Sequence, residues 1–471
     1  MRRLEKEPRI QLYLDQVCKQ VRAKAMHPEL RLELLGHLEE TVEELDKEGL
    51  REDSAIQAAL QQMGDPRTVG EEFDQAHRPR FDVGFFAAIV ILALLGIALA
   101  FSVNSATEGR LGSHNGFYRT AAAVIGLALF FVMRLFPYRL LSRFPMGFYG
   151  VALLLIYVSF DASGPSGEIY LSIGSYALNG SELVSVLFLL ALAGAVSSKL
   201  PWMDSVSDFT KMRRIGSAFG KLLYLTKLGF IFWVIPGLAF LKFNDLSSYF
   251  LYAISAGFLL FLAIHRTGMM RRGPAQRIGL LRLSKVTVGL SVLAACFILI
   301  PFVLSDSVRI LRMTMHRLFN GMDGYQITQV SIALEKAGWW GHGFGAPFKS
   351  LPAFYSEMAF PYFVYSMGWA AGLALIALLL YFTVSLIRLA WAIRDPFGRC
   401  LGGGLAALLL TKTLWNLAMC FRLVPIMGVS IPFFSYAPTS VLLNFVMCGV
   451  LGSIFRNRNR MPSPAPVPSS K

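Results

Sequence analysis

The sequence predicts an all-α fold: a polytopic membrane protein of about ten transmembrane helices, preceded by a small N-terminal cytoplasmic helical domain. Three observations predict it. Of 471 residues, 55% are hydrophobic, and the mean hydropathy is +0.52. Only 16% are charged, against about a quarter in a soluble protein. Apolar runs of about 20 residues recur, long enough to cross a bilayer as helices, and they lack the strict alternation of a membrane β-barrel.

Residues 1–80 read as the separate helical module. Ile10, Leu14, Val17 and Val21 recur at helical spacing. Pro28 stands at the start of a second helix whose acidic run, Glu29 to Asp46, carries Leu30, Leu34, Leu35, Leu38, Val42 and Leu45 on a face, and Gly49 stops it. A third helix runs from about Asp53 to Met63 and ends at Gly64. Asp65-Pro66 opens a fourth, since Pro is favoured at the first helical position. This prefix is similar to the helical domain found ahead of some Gram-positive permeases.

The membrane domain, 83–456, divides into spans at about 83–104, 117–137, 145–161, 182–198, 223–241, 247–265, 284–304, 358–387, 401–420 and 436–455. The positive-inside rule orients them. Alternate loops carry Arg134, Arg139 and Arg143; Lys199, Lys211, Arg213, Arg214 and Lys221; Arg266 through Lys285; and Arg388, Arg394 and Arg399. The loop from Asp161 to Ser181 has no Lys or Arg. Both termini are therefore expected in the cytoplasm, and the long loop 305–357 outside it. The tail 457–471, rich in Pro and Ser, reads as disordered.

The same rule accounts for the net charge of +15, so no nucleic-acid partner is inferred. Cys18, Cys296, Cys400, Cys420 and Cys448 have no paired spacing, and neither a disulfide framework nor a zinc site follows. No signal peptide is read at the charged N-terminus.

The stretch from Ser305 to Glu357 is the main polar interruption of the membrane domain. Loops of that length are uncommon and usually functional. It holds Gly324-Tyr325-Gln326-Ile327, the run Gly338-Trp339-Trp340-Gly341-His342-Gly343-Phe344-Gly345, then Leu351-Pro352 and the lone carboxylate Glu357. Three further segments stand out: Tyr170 to Gly174 followed by Asn179-Gly180-Ser181-Glu182-Leu183; Phe243-Asn244-Asp245-Leu246; and Pro425 to Tyr436, which includes Ser435 and follows Asn416.

In this order and at these distances the segments resemble the SEDS (FtsW/RodA/SpoVE) family over about residues 83–456. The resemblance implies a peptidoglycan glycosyltransferase that polymerises undecaprenyl-linked lipid II at the outer face of the bacterial cytoplasmic membrane. The resemblance further implies a role in cell shape, division or sporulation, with a transpeptidase, a class B penicillin-binding protein, as partner. It places Glu357 where the family has its catalytic aspartate, as the base that takes the acceptor hydroxyl proton. Without the resemblance, Glu357 reads as an interfacial carboxylate at a helix N-terminus. The resemblance makes Arg309, Tyr325, Gln326, Gly343, Gly345, Glu182 and Ser435 candidates for substrate binding.

The chain also departs from the family. Ile169 stands for the family's arginine and Tyr170 for its tryptophan, Asn179-Gly180 for Gln-Pro, and Ser185 for the lysine two residues after the Ser-Glu-Leu. Tyr365 and Ser366 stand for acidic residues, and Ala437-Pro438 for Gly-Gly. These departures motivate a second hypothesis, a non-catalytic regulatory or scaffold protein whose residues 1–80 bind a cytoplasmic partner. A lipid flippase is a third, opposed by the sparse mid-span charge.

The remaining features have bland readings beside sharp ones. Arg309, Arg312 and Arg317 form an amphipathic cationic pattern that suits anchoring to lipid headgroups; Arg309 is also placed to hold a lipid pyrophosphate. The glycine run reads as a tightly packed loop or, less well, a phosphate cradle. A divalent cation would need Asp323 and Glu335 to join Glu357. Glu182 and Asp245 sit at span ends, where helix capping competes with a functional role. Asn416 is expected to make an interhelical hydrogen bond.

Overall fold

The computed structural model describes residues 7–21, 27–47, 49, 51–77, 82–107, 115–159, 170–173, 176–199, 229–243, 245–269, 324–348, 350–393 and 395–456. Arg309, Asp323, Cys296, Ile169, the seventh predicted span and the tail lie outside them. The chain divides between Phe81 and Asp82 into two compact units.

The first unit is the expected set of helices: α1 (Pro8–Gln20), α2 (His27–Lys47), α3 (Glu52–Met63) and α4 (Pro66–His77). Ile10, Leu14 and Val17 of α1 pack with Leu30, Leu34, Leu38 and Val42 of α2 and with Ala55, Ile56 and Ala59 of α3. Leu35 and Leu45 lie at the edge of this core. Gly49 and Gly64 end their helices with φ of +90° and +85°, the left-handed conformation that glycine adopts without a Cβ penalty. Asp65 Oδ2 accepts the Thr68 N–H at 3.2 Å, capping α4.

The second unit is a bundle of α5 (Val83–Ala106), α6 (Asn115–Leu135), α7 (Pro145–Val158), α8 (Ser181–Lys199), α9 (Ile235–Lys242), α10 (Leu246–Met269), α11 (Tyr325–Lys336), α12 (Ala359–Trp391), α13 (Pro396–Cys420) and α14 (Pro438–Arg456). Among the described residues, five helices are long and apolar enough to cross a membrane: α5, α6, α12, α13 and α14. Shorter apolar helices occupy four more predicted spans, at 145–158, 181–197, 230–240 and 247–263. α8 packs against α7, α10 and α13, and α10 lies along α13. A Cβ on Gly403 of α13 would approach Leu262 Cδ1 to 2.2 Å, so small residues let these two helices close together.

The ninth predicted span begins five residues too late. Asp395 Oδ2 accepts the Gly398 N–H at 2.7 Å, and Pro396 occupies the first turn, so the helix starts at an Asp-Pro cap. A π turn over Phe230–Val234 precedes α9. Tyr149 and Tyr252 donate their hydroxyls to the carbonyls of Ile231 and Phe232, each at 2.7 Å, supplying donors where the i→i−4 ladder is disturbed.

Three features were not read from the sequence, the first being α11, a helix inside the stretch 305–357 that was read as a loop. Strands β1 (Tyr170–Ile173) and β2 (Tyr176–Asn179) form an antiparallel hairpin, Tyr170 opposite Asn179, that delivers the chain to the start of α8. The eighth predicted span is broken: Gly368, within α12, has φ +85° and ψ +170°.

Candidate active site

The break at Gly368 explains the glycine run. A broken helix leaves carbonyls and amides without partners, and these need replacements when buried. His342 N donates to Tyr365 O at 3.1 Å and Gly343 N to Ser366 O at 2.9 Å; in return Trp369 N donates to Gly338 O at 3.0 Å and Ala370 N to Trp339 O at 3.3 Å. The two backbones touch. A Cβ on Gly341 would lie 2.3 Å from Ser366 O, and one on Gly368 would lie 2.2 Å from Trp339 O. The His342 ring stacks on Tyr365 at 4.2 Å.

These contacts also occupy the amides of two candidates. The Gly343 amide is bound to Ser366, and the Gly345 amide donates to Ser102 Oγ of α5 at 3.0 Å. Neither N–H is free for a phosphate, so both glycines serve the fold. Ser435, 2% exposed, accepts the Ile431 N–H at 3.0 Å and braces its own loop. Tyr325 and Gln326 are exposed on the first turn of α11.

Glu357 lies in the turn just before α12. Met358 N donates back to Ala353 O at 3.0 Å, with Ala353 at φ +48°. The fully buried Asn416 of α13 then ties this turn to the loop ahead of α14. Its Nδ2 donates to Glu357 O at 2.8 Å and to Val429 O at 2.6 Å. Asn416 was expected to join two helices; its amide instead bonds the backbones of two loops. The carboxylate faces Gly428: a Cβ built there would be 3.4 Å from Glu357 Oε1 and 3.7 Å from Ser247 Oγ. Ser247 donates to Asp245 Oδ1 at 3.0 Å, and Asp245 also accepts the Ser248 N–H at 3.0 Å. Asp245 therefore caps α10, and through Ser247 it stands beside the Glu357 site.

A second polar cluster lies one turn down α13 from Asn416, about 6 Å along the axis. Lys412, 1% exposed, places Nζ 2.7 Å from Glu182 Oε1 of α8 and donates to Ser440 Oγ of α14 at 3.0 Å. Ser440 donates to Glu182 Oε1 at 3.0 Å, and Asn444 Nδ2 donates to Ser440 at 3.4 Å. Sequence reading had singled out Glu182 and missed Lys412, although a lone lysine inside an apolar run is itself a signal.

Arg119 was missed for the same reason. It is fully buried at the start of α6 and donates Nη2 to the carbonyl of Phe433, whose φ is +64°. Its Nε and Nη1 have no hydrogen-bond partner among the described residues. For a metal ion, the described residues do not offer a set of ligands: no three His, Cys, Asp or Glu side chains gather among them, and Glu335 is exposed on α11.

Comparison with known proteins fits this arrangement. The family described as "Cell cycle protein" (FTSW_RODA_SPOVE) matches residues 82–460. The chain belongs to the FtsW/RodA/SpoVE family. It is 24% identical over 396 residues to the "Probable peptidoglycan glycosyltransferase FtsW" of Bacillus subtilis, covering 79% of this chain and 90% of that relative. The protein of the same name from Nitrosomonas europaea is 25% identical, with 80% and 93% covered. Among solved structures, one titled "Structural coordination of polymerization and crosslinking by a peptidoglycan synthase complex" superposes with a TM-score of 0.58 at 19% identity, covering 81% of this chain and 99% of the other. The rod shape determining protein RodA of Thermus thermophilus gives 0.52 at 17% identity, with 81% and 98% covered. The fold is thus that of a multi-pass FtsW/RodA-type membrane protein.

Proposed function

We propose that the chain is a peptidoglycan glycosyltransferase that polymerises lipid II at the outer face of the bacterial cytoplasmic membrane, with Glu357 as general base. The observation that carries this is the seating of Glu357. Its backbone is fixed by Asn416 and its carboxylate faces Gly428, in the family's register for the catalytic carboxylate. In the reaction, a carboxylate oxygen takes the proton of the acceptor sugar hydroxyl as that oxygen bonds to the donor's anomeric carbon. The bond from that carbon to the pyrophosphate oxygen breaks, and the lipid pyrophosphate leaves.

Several features support the reading. The family relatives carry the glycosyltransferase name. The positive-inside pattern supports cytoplasmic termini, with Glu357 on the opposite side. A transpeptidase partner accords with the synthase complex of similar fold. Tyr325, Gln326 and Arg309 remain the proposed contacts from the long loop. A scaffold role is the second reading, favoured by Ser185, Tyr365 and Ala437 where the family resemblance expects other residues.

The deciding experiment is polymerisation of lipid II by the purified protein, alone and with its transpeptidase partner. Glycan strands from the native protein and none from Glu357→Gln are expected. Equal product from both would sink the base assignment. No product from either, with the partner supplied, would favour the scaffold.

A further inference from the structure

We propose that Lys412 supplies from α13 the cation that family resemblance expects at position 185 of α8, and that the Lys412–Glu182 pair presents Glu182 Oε2 as an acceptor for a sugar hydroxyl or amide N–H of the lipid-linked substrate. This names a substrate contact for the reaction proposed above and rests on that reading.

The geometry of α8 makes the exchange possible. Position 185 lies three residues after Glu182, and residues so spaced share a helix face. A lysine there would sit beside the carboxylate. This chain has Ser185, which is 2% exposed and donates to Ser181 O at 2.9 Å. The ammonium reaches the same carboxylate from α13 instead, at 2.7 Å, on a side chain only 2% exposed. The carboxylate on α8 is thus matched by an ammonium from the neighbouring helix α13.

The hydrogen-bond inventory then shows what the cluster lacks. Ser440 has one proton and gives it to Glu182 Oε1. Its lone pairs accept from Lys412 and from Asn444 Nδ2, which fixes the Asn444 amide with Oδ1 pointing elsewhere. Glu182 Oε2 and Asn444 Oδ1 are both buried and have no hydrogen-bond partner among the described residues. Both are acceptors only. Buried acceptors without donors are costly, so the group that completes them carries N–H or O–H. The ion pair is neutral overall and ends in a carboxylate oxygen, which suits a saccharide and repels a phosphate. The cluster lies one helical turn along α13 from the Asn416 that holds the Glu357 backbone, about 6 Å along the axis.

The test is binding of two lipids to the full-length protein: lipid II, and undecaprenyl pyrophosphate, which has the phosphates without the sugars. Four forms are compared: wild type, Lys412→Met, Glu182→Gln with Lys412→Met, and Ser185→Lys with Lys412→Met. A hydrogen bond to a charged group is worth about 10- to 100-fold in binding. Lys412→Met is expected to weaken lipid II by that factor and to leave undecaprenyl pyrophosphate unchanged. Ser185→Lys in the Lys412→Met background is expected to recover lipid II binding. The neutral pair, Glu182→Gln with Lys412→Met, leaves no unpaired buried charge, so it guards against simple misfolding, and it is expected to stay weak for lipid II.

Wild-type affinity for lipid II in the neutral pair would show that the acceptors face only a buried water, and would overturn the proposal. So would equal weakening of both lipids, a folded Ser185→Lys, Lys412→Met protein that stays weak, or a wild type that does not bind lipid II. Polymerisation measured on the same preparations separates the two readings. Absent glycan synthesis with the binding pattern intact would remove the glycosyltransferase assignment and leave the sugar subsite standing.

Discussion

Asn416 holds the candidate base, and replacing it with Leu measures how firmly. The side chains are close in volume, but Leu has no donor. Two carbonyls, the part-buried Glu357 O at 2.8 Å and the buried Val429 O at 2.6 Å, then lose this donor. A buried carbonyl left without a donor costs about 1–3 kcal/mol, so Val429 O alone should cost about that much, and the part-buried Glu357 O adds less. Freed from α13, the Glu357 turn shifts, and a displacement of about 1 Å in a reacting group costs on the order of 100-fold in rate. Thermal unfolding in detergent micelles reads the stability; lipid II polymerisation reads the rate. Thr413→Val is the control on the same helix. Its hydroxyl donates only to Leu409 O within α13, and both readouts should barely move. A folded Asn416→Leu protein losing under about 1 kcal/mol, below the floor for one unsatisfied carbonyl, and polymerising at the wild-type rate would refute the reasoning.

Two further outcomes follow from the packing. Gly341→Ala should destabilise by about 5–6 kcal/mol, combining about 1–2 for left-handed φ with about 1 for each of the four backbone hydrogen bonds across the α12 break. Gly338→Ala, with φ +63° and open space around its Cβ position, should cost only about 1–2 kcal/mol, and equal unfolding temperatures for the two would contradict the close approach. In the first unit, burial raises the Cys18 thiol above its ordinary value of 9.0. Above that ordinary value the unfolded thiol ionises while the folded one keeps its proton, so this group's contribution to stability falls as pH rises. Alkylation of Cys18 in the native protein should therefore lag that of a Cys18 peptide across this range, and matching rates would disprove the burial effect.

Local signals located most of the elements. The α1 and α2 faces, the glycine stops at Gly49 and Gly64 and the Asp-Pro cap of α4 all act within a few residues of sequence. They were legible for that reason. The spans were legible because a lipid-crossing helix must be apolar over its whole length. The Asp395-Pro396 start of α13 used the same cap chemistry and was overlooked. Other features depend on distant partners. Nothing near Gly368 announces a helix break, since the amides and carbonyls that complete it come from 338–343. The π turn before α9 is matched by tyrosines of α7 and α10.

The candidate site shows the same division. Composition and hydropathy by themselves determined a multi-span helical protein with a soluble helical prefix, and motif register picked out Glu357 and Glu182. Tertiary structure decided how those residues are held. It bound the Gly343 and Gly345 amides and the Ser435 hydroxyl within the fold, joined Glu357 to Asn416, and paired Glu182 with Lys412 from 230 positions away. The physical reason is that helix periodicity and apolar content are properties of a short segment, whereas the partner of a buried charge or carbonyl is whichever group the packed helices bring within hydrogen-bonding distance.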